Sequence, residues 1–245
     1  ELLVTWVLAM AAGRSPALVT FLFVDFKGGA AFDPLLGLPH CVGVITDLDA
    51  ERSLRALTSL AAELRRRERV LARQALRSID EAGTDPPFPR LVVVVDEYAA
   101  LVETHSNLHA VFADIAARGR SLGIHLILCT QRPAGVVRES ILANCALRIS
   151  LRVMTAADSS AVIGSAVAAS LPIRPVGRCL VGAAGGETRP FQVARSRVAD
   201  SGTVTQRWRD SERPRVPWLP PLPASSRLDR LGELVSGGDA DARDG

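Results

Sequence analysis

The chain predicts an α/β fold with a mainly parallel sheet flanked by helices, followed by a Pro/Arg-rich irregular tail. Three observations carry that reading. Short runs rich in Val, Ile, Leu and Phe (LVTFLFVD, CVGVI, LVVVV and IHLILCT) alternate with longer segments of helical spacing. The runs are apolar throughout instead of alternating with polar residues, as in strands covered on both faces. Polar clusters stand directly after several of them, at the strand ends where open α/β sheets bind ligands. The expected division is an α/β domain over 1–194 and a linker or tail over 195–245.

In chain order, Glu1 to Ala12 reads as a helix of little polarity, ended by Gly13 and followed by Pro16. Leu18 to Asp25 is a buried strand whose exit loop carries Lys27, Gly28 and Gly29. Cys41 to Ile45 is a second short apolar run. From Asp49 to about Ile79 a long helix follows, with Leu54, Leu57, Ala61, Leu64, Leu71 and Ala75 at helical spacing. The segment from Gly83 to Pro89 breaks it. Leu91 to Val95 is the strongest strand signal and runs into Asp96-Glu97. A helix over Leu108 to Leu122, a strand over Ile124 to Thr130, a further strand over Leu147 to Val153 and a helix from about Ala156 to Ile163 complete the pattern. After Arg195 the apolar periodicity ends. VPWLPPLP (Val216 to Pro223) reads as an extended linker, and residues 235–245 have the composition of a disordered end.

Composition narrows the function classes. With 48% hydrophobic residues the domain has material for a real core. No run approaches the roughly twenty apolar residues of a spanning helix, and Glu1 opens no basic leader. The chain as given is therefore expected to be soluble, with any membrane anchor belonging to a longer parent. Cys41, Cys129, Cys145 and Cys179 are scattered without a CxxC pair, against structural zinc or a disulfide scaffold. The histidines show no ligand spacing. A net charge of +3 does not by itself announce nucleic acid. Lys27 is the only lysine among 29 basic residues, and it stands beside two glycines.

Four apolar residues leading into Asp-Glu form a Walker B arrangement. The sheet holds Asp96 rigidly for Mg²⁺, and Glu97 is placed to orient and activate the water that attacks a γ-phosphate. A buried strand whose first loop residues are acidic is the plainer alternative. Thr130 and Gln131 end the neighbouring strand, where a polar side chain can sense that phosphate. Arg148, Arg118 and Arg120 are candidates for a finger toward a neighbour's nucleotide, or else are solvated or ion-paired surface residues. Arg65, Arg66, Arg67 and Arg69 read as the exposed face of the long helix, their stems covering apolar neighbours; a polyanion or subunit contact is the sharper alternative. No GxxxxGK[ST] loop occurs anywhere in the chain. The expectation is that it stood immediately before the first helix. GxSxG, HExxH and GxGxxG are absent as well.

VDFKGGAAF, PHCVGVITDLD, ELRRRE, PRLVVVVDEYAAL, ARGRSLGIHLILCTQRPAGVV, ILANCALRISLRV and ADSSAVIG stand here in one order and spacing. Together they resemble the FtsK/SpoIIIE ATPase domain over roughly residues 1–194, in the style of actinobacterial tandem-module members, and the type VII secretion ATPases nearly as well. The resemblance implies a RecA-like P-loop module that binds ATP and Mg²⁺ in a homo-oligomeric, usually hexameric, ring and moves a polymer. Double-stranded DNA is the default expectation, a secreted protein the alternative, and a non-catalytic docking module in a tandem chain a third. By this resemblance Asp96 and Glu97 match Walker B, Gln131 the sensor and Arg148 the arginine finger. Asp25, Lys27, Gly28 and Gly29 match the D-x-K-G-G loop. The resemblance also implies the cytoplasmic part of a membrane-anchored parent, with no direct membrane contact by this segment. Without a phosphate loop these residues alone are expected to be inactive.

Overall fold

The computed structural model describes residues 1–217 apart from 27–29, 47–49, 107 and 184–186. Four parallel strands form the main sheet: β1 (Val19–Asp25), β2 (Cys41–Thr46), β3 (Arg90–Asp96) and β4 (Ile124–Leu128), in the order β2-β1-β3-β4. The helices that cover it are α1 (Leu2–Gly13), α2 (Ala50–Arg73), α3 (Tyr98–Thr104) and α4 (Leu108–Arg118).

The continuous apolar runs are explained by a core on each face. Successive strand side chains point to opposite sides. Leu22, Val24, Leu91, Val93 and Val95 therefore meet Leu60, Leu64 and Leu71 of α2 and Phe112 and Ile115 of α4. Their neighbours Phe21, Phe23, Val92 and Val94 meet Val7, Leu8 and Ala11 of α1 on the other face, with Phe32 and Leu35. Each such side chain contributes about 1.5–3 kcal/mol by leaving water. Gly119, in the turn from α4 to β4, has a reason of its own. A Cβ there would lie 2.4 Å from the carbonyl oxygens of both Ile115 and Ile124, so only glycine lets helix and strand close up.

Several elements differ from the sequence expectation. The long helix stops at Arg73; Ala75 takes a positive φ of 55°, and a single 3₁₀ turn follows at Ile79–Ala82. Leu147 to Val153 does not extend the parallel sheet. It supplies β5 (Leu147–Leu151), which pairs antiparallel with β6 (Arg178–Ala183), itself paired with β7 (Arg189–Gln192). Two short helices flank β5: α5 (Glu139–Leu142) and α6 (Ala156–Ile163). Within the expected tail, residues 198–207 form α7 (Val198–Arg207), which packs on α1. Its Val204 joins the α1-side core, and Trp208 just beyond donates its indole N–H to the Ala11 carbonyl over 2.8 Å. The proline-rich linker from residue 218 onward lies outside the described residues.

The arginine run is corrected most clearly. Arg65 and Arg69 are exposed, but Arg67 is 2% exposed and pairs with equally buried Glu63. Arg67 also donates from Nη1 to the carbonyls of Leu122 (2.9 Å) and Gly123 (3.0 Å), and its guanidinium lies 4.5 Å from the Phe88 ring centroid. Its position, three residues after Leu64 and four before Leu71, puts it on the core-facing stripe of α2. No described helix is long and apolar enough to cross a membrane.

Candidate active site

The register of β1 against β3 aligns Asp25 with Asp96, so the two acidic strand ends stand side by side at the C-terminal edge of the sheet. Asp25 is buried, and its Oδ2 accepts the Ala31 amide at 3.3 Å. The sequence expectation also named Lys27, Gly28 and Gly29. Those three residues lie outside the described residues.

Glu97 follows Asp96 in a left-handed conformation, φ 58° and ψ 65°. For a residue with a Cβ this costs about 1–2 kcal/mol and persists only where the surroundings fix it. They do so through β4. The Cys129 amide donates to the Val95 carbonyl at 2.9 Å, and the Tyr98 amide donates to the Cys129 carbonyl at 2.7 Å. The Glu97 carboxylate turns to the same edge: its Oε1 accepts the Thr130 hydroxyl at 3.0 Å and the Gln131 amide at 3.3 Å. Thr130 is fixed in turn, since its Oγ1 accepts the Arg132 amide at 3.1 Å. Only the Gln131 backbone meets Glu97 among these bonds, and its side chain is exposed.

The acidic pair sets the local electrostatics. Burial, reinforced by the charges of Asp96 and Glu97, pushes the Cys129 thiol up to about 12. Carboxylates at the C-terminal ends of parallel strands are placed where such sheets bind phosphate and Mg²⁺. Asp25 and Asp96 offer hard oxygen donors, which suits Mg²⁺ held by one or two carboxylates with phosphate and water completing its shell. Among the described residues there is no cluster of three or more His, Cys, Asp or Glu for an all-protein cage.

The arginine candidates are not gathered at this edge. Arg148, on β5, donates from Nη2 to the Leu142 carbonyl (2.8 Å) and from Nε to the Cys145 carbonyl (3.2 Å), capping the end of α5. Arg118 is ion-paired with Asp114 and Glu68 on its own surface, and Arg120 is exposed. Sequence reasoning passed over Tyr98, the chain's only tyrosine. It is fully buried directly after Glu97, and its place immediately after the acidic pair was the available signal.

A parallel sheet with helices on both faces and an acidic pair at its C-terminal edge defines the class: a P-loop ATPase module. The family model for FtsK/SpoIIIE matches residues 1–87 and 79–135, and the chain belongs to that family. It is similar to the type VII secretion system protein EssC of Staphylococcus aureus (strain Mu50), at 36% identity over 180 residues, 71% of this chain and 12% of that protein. The chain thus spans only about an eighth of that relative's length. Among solved structures, the cytoplasmic domain of the type VII secretion ATPase EccC of Thermomonospora curvata superposes with a TM-score of 0.77 at 31% identity, covering 92% of this chain and 28% of that one. The second and third ATPases of T. curvata EccC, solved with a signal sequence peptide, give 0.74 at 27%, covering 91% and 43%. The chain is an FtsK/SpoIIIE-type ATPase module closely related to these secretion ATPases.

Proposed function

We propose that this module hydrolyses ATP to drive export of a protein substrate in a type VII secretion-like machine. The observation that carries the chemistry is the Glu97 carboxylate, held at the end of β3 by Thr130 and Gln131. Asp96, with Asp25 beside it, would hold Mg²⁺, which supplies charge neutralisation on the phosphates. Glu97 orients the attacking water and takes its proton. Thr130 keeps that carboxylate aimed, and Gln131 reads the phosphate from the same turn. Lys27, Gly28 and Gly29 belong to the nucleotide loop in this reading. Arg148 serves a neighbouring subunit's nucleotide, in a homo-oligomeric ring on the cytoplasmic face of a membrane-anchored protein.

Double-stranded DNA, the default expectation from sequence, is less well supported than a protein cargo. The 36% identity extends across most of the chain to a secretion protein, and T. curvata EccC was solved with a signal sequence peptide. A net charge of +3 gives little counterion release on a polyanion. The test titrates the full gene product containing these residues with a labelled signal-sequence peptide of its own secretion locus, and separately with duplex DNA over a salt series. Saturable peptide binding, with DNA binding weak or absent at physiological salt, is expected. Tight duplex binding that falls steeply with salt, together with DNA-stimulated hydrolysis, would return the module to the DNA motors.

A further inference from the structure

We infer that Tyr98 and His109 form a positioning pair that fixes the backbone turn presenting Glu97, tying the start of α3 to the start of α4. The inference rests on the reading of Glu97 as the water-activating carboxylate. Glu97 itself adopts a left-handed conformation, and the residue that must hold the next peptide in place is Tyr98. Its ring is fully buried and meets Phe112 of α4 edge-on, with centroids 5.6 Å apart and planes at 86°. Its phenol oxygen lies 3.0 Å from Nδ1 of His109, the second residue of α4. Burial pushes the Tyr98 phenol up to about 12, so it is protonated and donates. His109 Nδ1 then accepts, which leaves the ring proton on Nε2. Burial, together with the nearby Arg138 charge, lowers the His109 pKa and favours that neutral form.

The two ends of the Glu97–Tyr98 segment are thus held by different elements. The Glu97 carboxylate and the Tyr98 amide are bound to the end of β4. The Tyr98 side chain is bound to α4. A left-handed residue between two such anchors cannot relax by rolling the first turn of α3. Neither Tyr98 nor His109 reaches the reacting atoms in this arrangement, so both are positioning residues. Because small displacements of a catalytic group are costly, losing the bond is expected to act on kcat and to spare nucleotide binding.

The experiment measures steady-state ATP hydrolysis by the full gene product carrying Tyr98→Phe, His109→Leu or His109→Asn, with Glu97→Gln alongside. Asn is the conservative variant, since its Oδ1 falls near the place of Nδ1 and accepts the phenol proton. The expectation is a fall in kcat of about tenfold or more for Tyr98→Phe and His109→Leu at unchanged KM for ATP, largely restored by His109→Asn. Wild-type kcat in Tyr98→Phe, or a fall in His109→Leu that His109→Asn does not restore, would overturn the pair while leaving Glu97 in its role. Turnover retained by Glu97→Gln would remove the reading beneath it, and the pair with it. Should Tyr98→Phe fail to fold, the contrast between His109→Leu and His109→Asn decides.

Discussion

Thr130 donates its hydroxyl to Glu97 Oε1 over 3.0 Å, so a residue just past the end of β4 aims the acid just past the end of β3. The bond joins the residues just after β4 to the residue just after β3, at the C-terminal edge of the sheet. It makes the orientation of Glu97 a property of the turn after β4, a turn whose own geometry is set by the Arg132 amide on the same Thr130 oxygen.

Thr130→Val should therefore act on chemistry. It keeps the side-chain volume and removes the donor, leaving Glu97 with the Gln131 amide alone among the described bonds from this turn. A loss in kcat on the order of tenfold at unchanged KM for ATP is expected, with Thr130→Ser retaining most of the rate. Steady-state kinetics on the full gene product check it; equal rates in the Val and Ser variants would contradict it.

At the opposite end of the sheet, Arg67 and Glu63 make the second prediction. Burial alone would raise the Glu63 pKa, but the hydrogen bond from Arg66 and the charge of Arg67 outweigh it and hold it below the ordinary value. Arg67→Met strands part of that charge and leaves the Leu122 and Gly123 carbonyls without their donor. A loss of roughly 3 kcal/mol in urea unfolding is expected, and adding Glu63→Leu should recover the part that comes from the stranded carboxylate. Because the folded pKa of Glu63 is depressed, its contribution is present above pH ~4.5 and lost as pH falls through the folded value. A single-variant loss under ~1 kcal/mol would place the pair among ordinary surface bridges.

Alkaline pH should destabilise the fold through two buried acids. Burial raises Cys129 from 9.0 and Tyr98 from 10.0, each to about 12. Groups with raised folded pKa values stabilise below their unfolded values and lose that contribution as pH rises through the folded ones. Stability should fall progressively between about pH 9 and pH 12. Chemical unfolding at intervals across this range measures it, and Cys129→Ala should flatten the early part of the decline. A level profile to pH 12 would show that neither group is held as described.

The main sheet was legible because β1 and β3 are apolar on both faces, and Phe21 and Leu22 show why: adjacent residues serve opposite cores. The acidic edge was legible as well, since Asp25, Asp96 and Glu97 each follow such a run. What escaped had weaker local signals. The direction of β5 could not be read from LRISL, because antiparallel pairing is chosen by β6, a short run the pattern did not mark. Glu97 gives no warning of its left-handed turn, which is imposed by β4 and α4. Arg67 was misread by residue type although its spacing from Leu64 and Leu71 placed it inward. Val204 of α7 and Trp208 just beyond it stand four apart, a stripe too short to outweigh the polar residues around it.

The central claim is that Glu97 activates the hydrolytic water, and Glu97→Gln tests it most directly. Gln keeps the shape and a hydrogen bond to the turn after β4 but cannot take a proton. ATP binding and hydrolysis would be measured side by side in the full gene product. Nucleotide affinity near wild type with turnover reduced by roughly 10²-fold or more is the predicted result. Turnover within a few-fold of wild type at the same affinity would contradict the account.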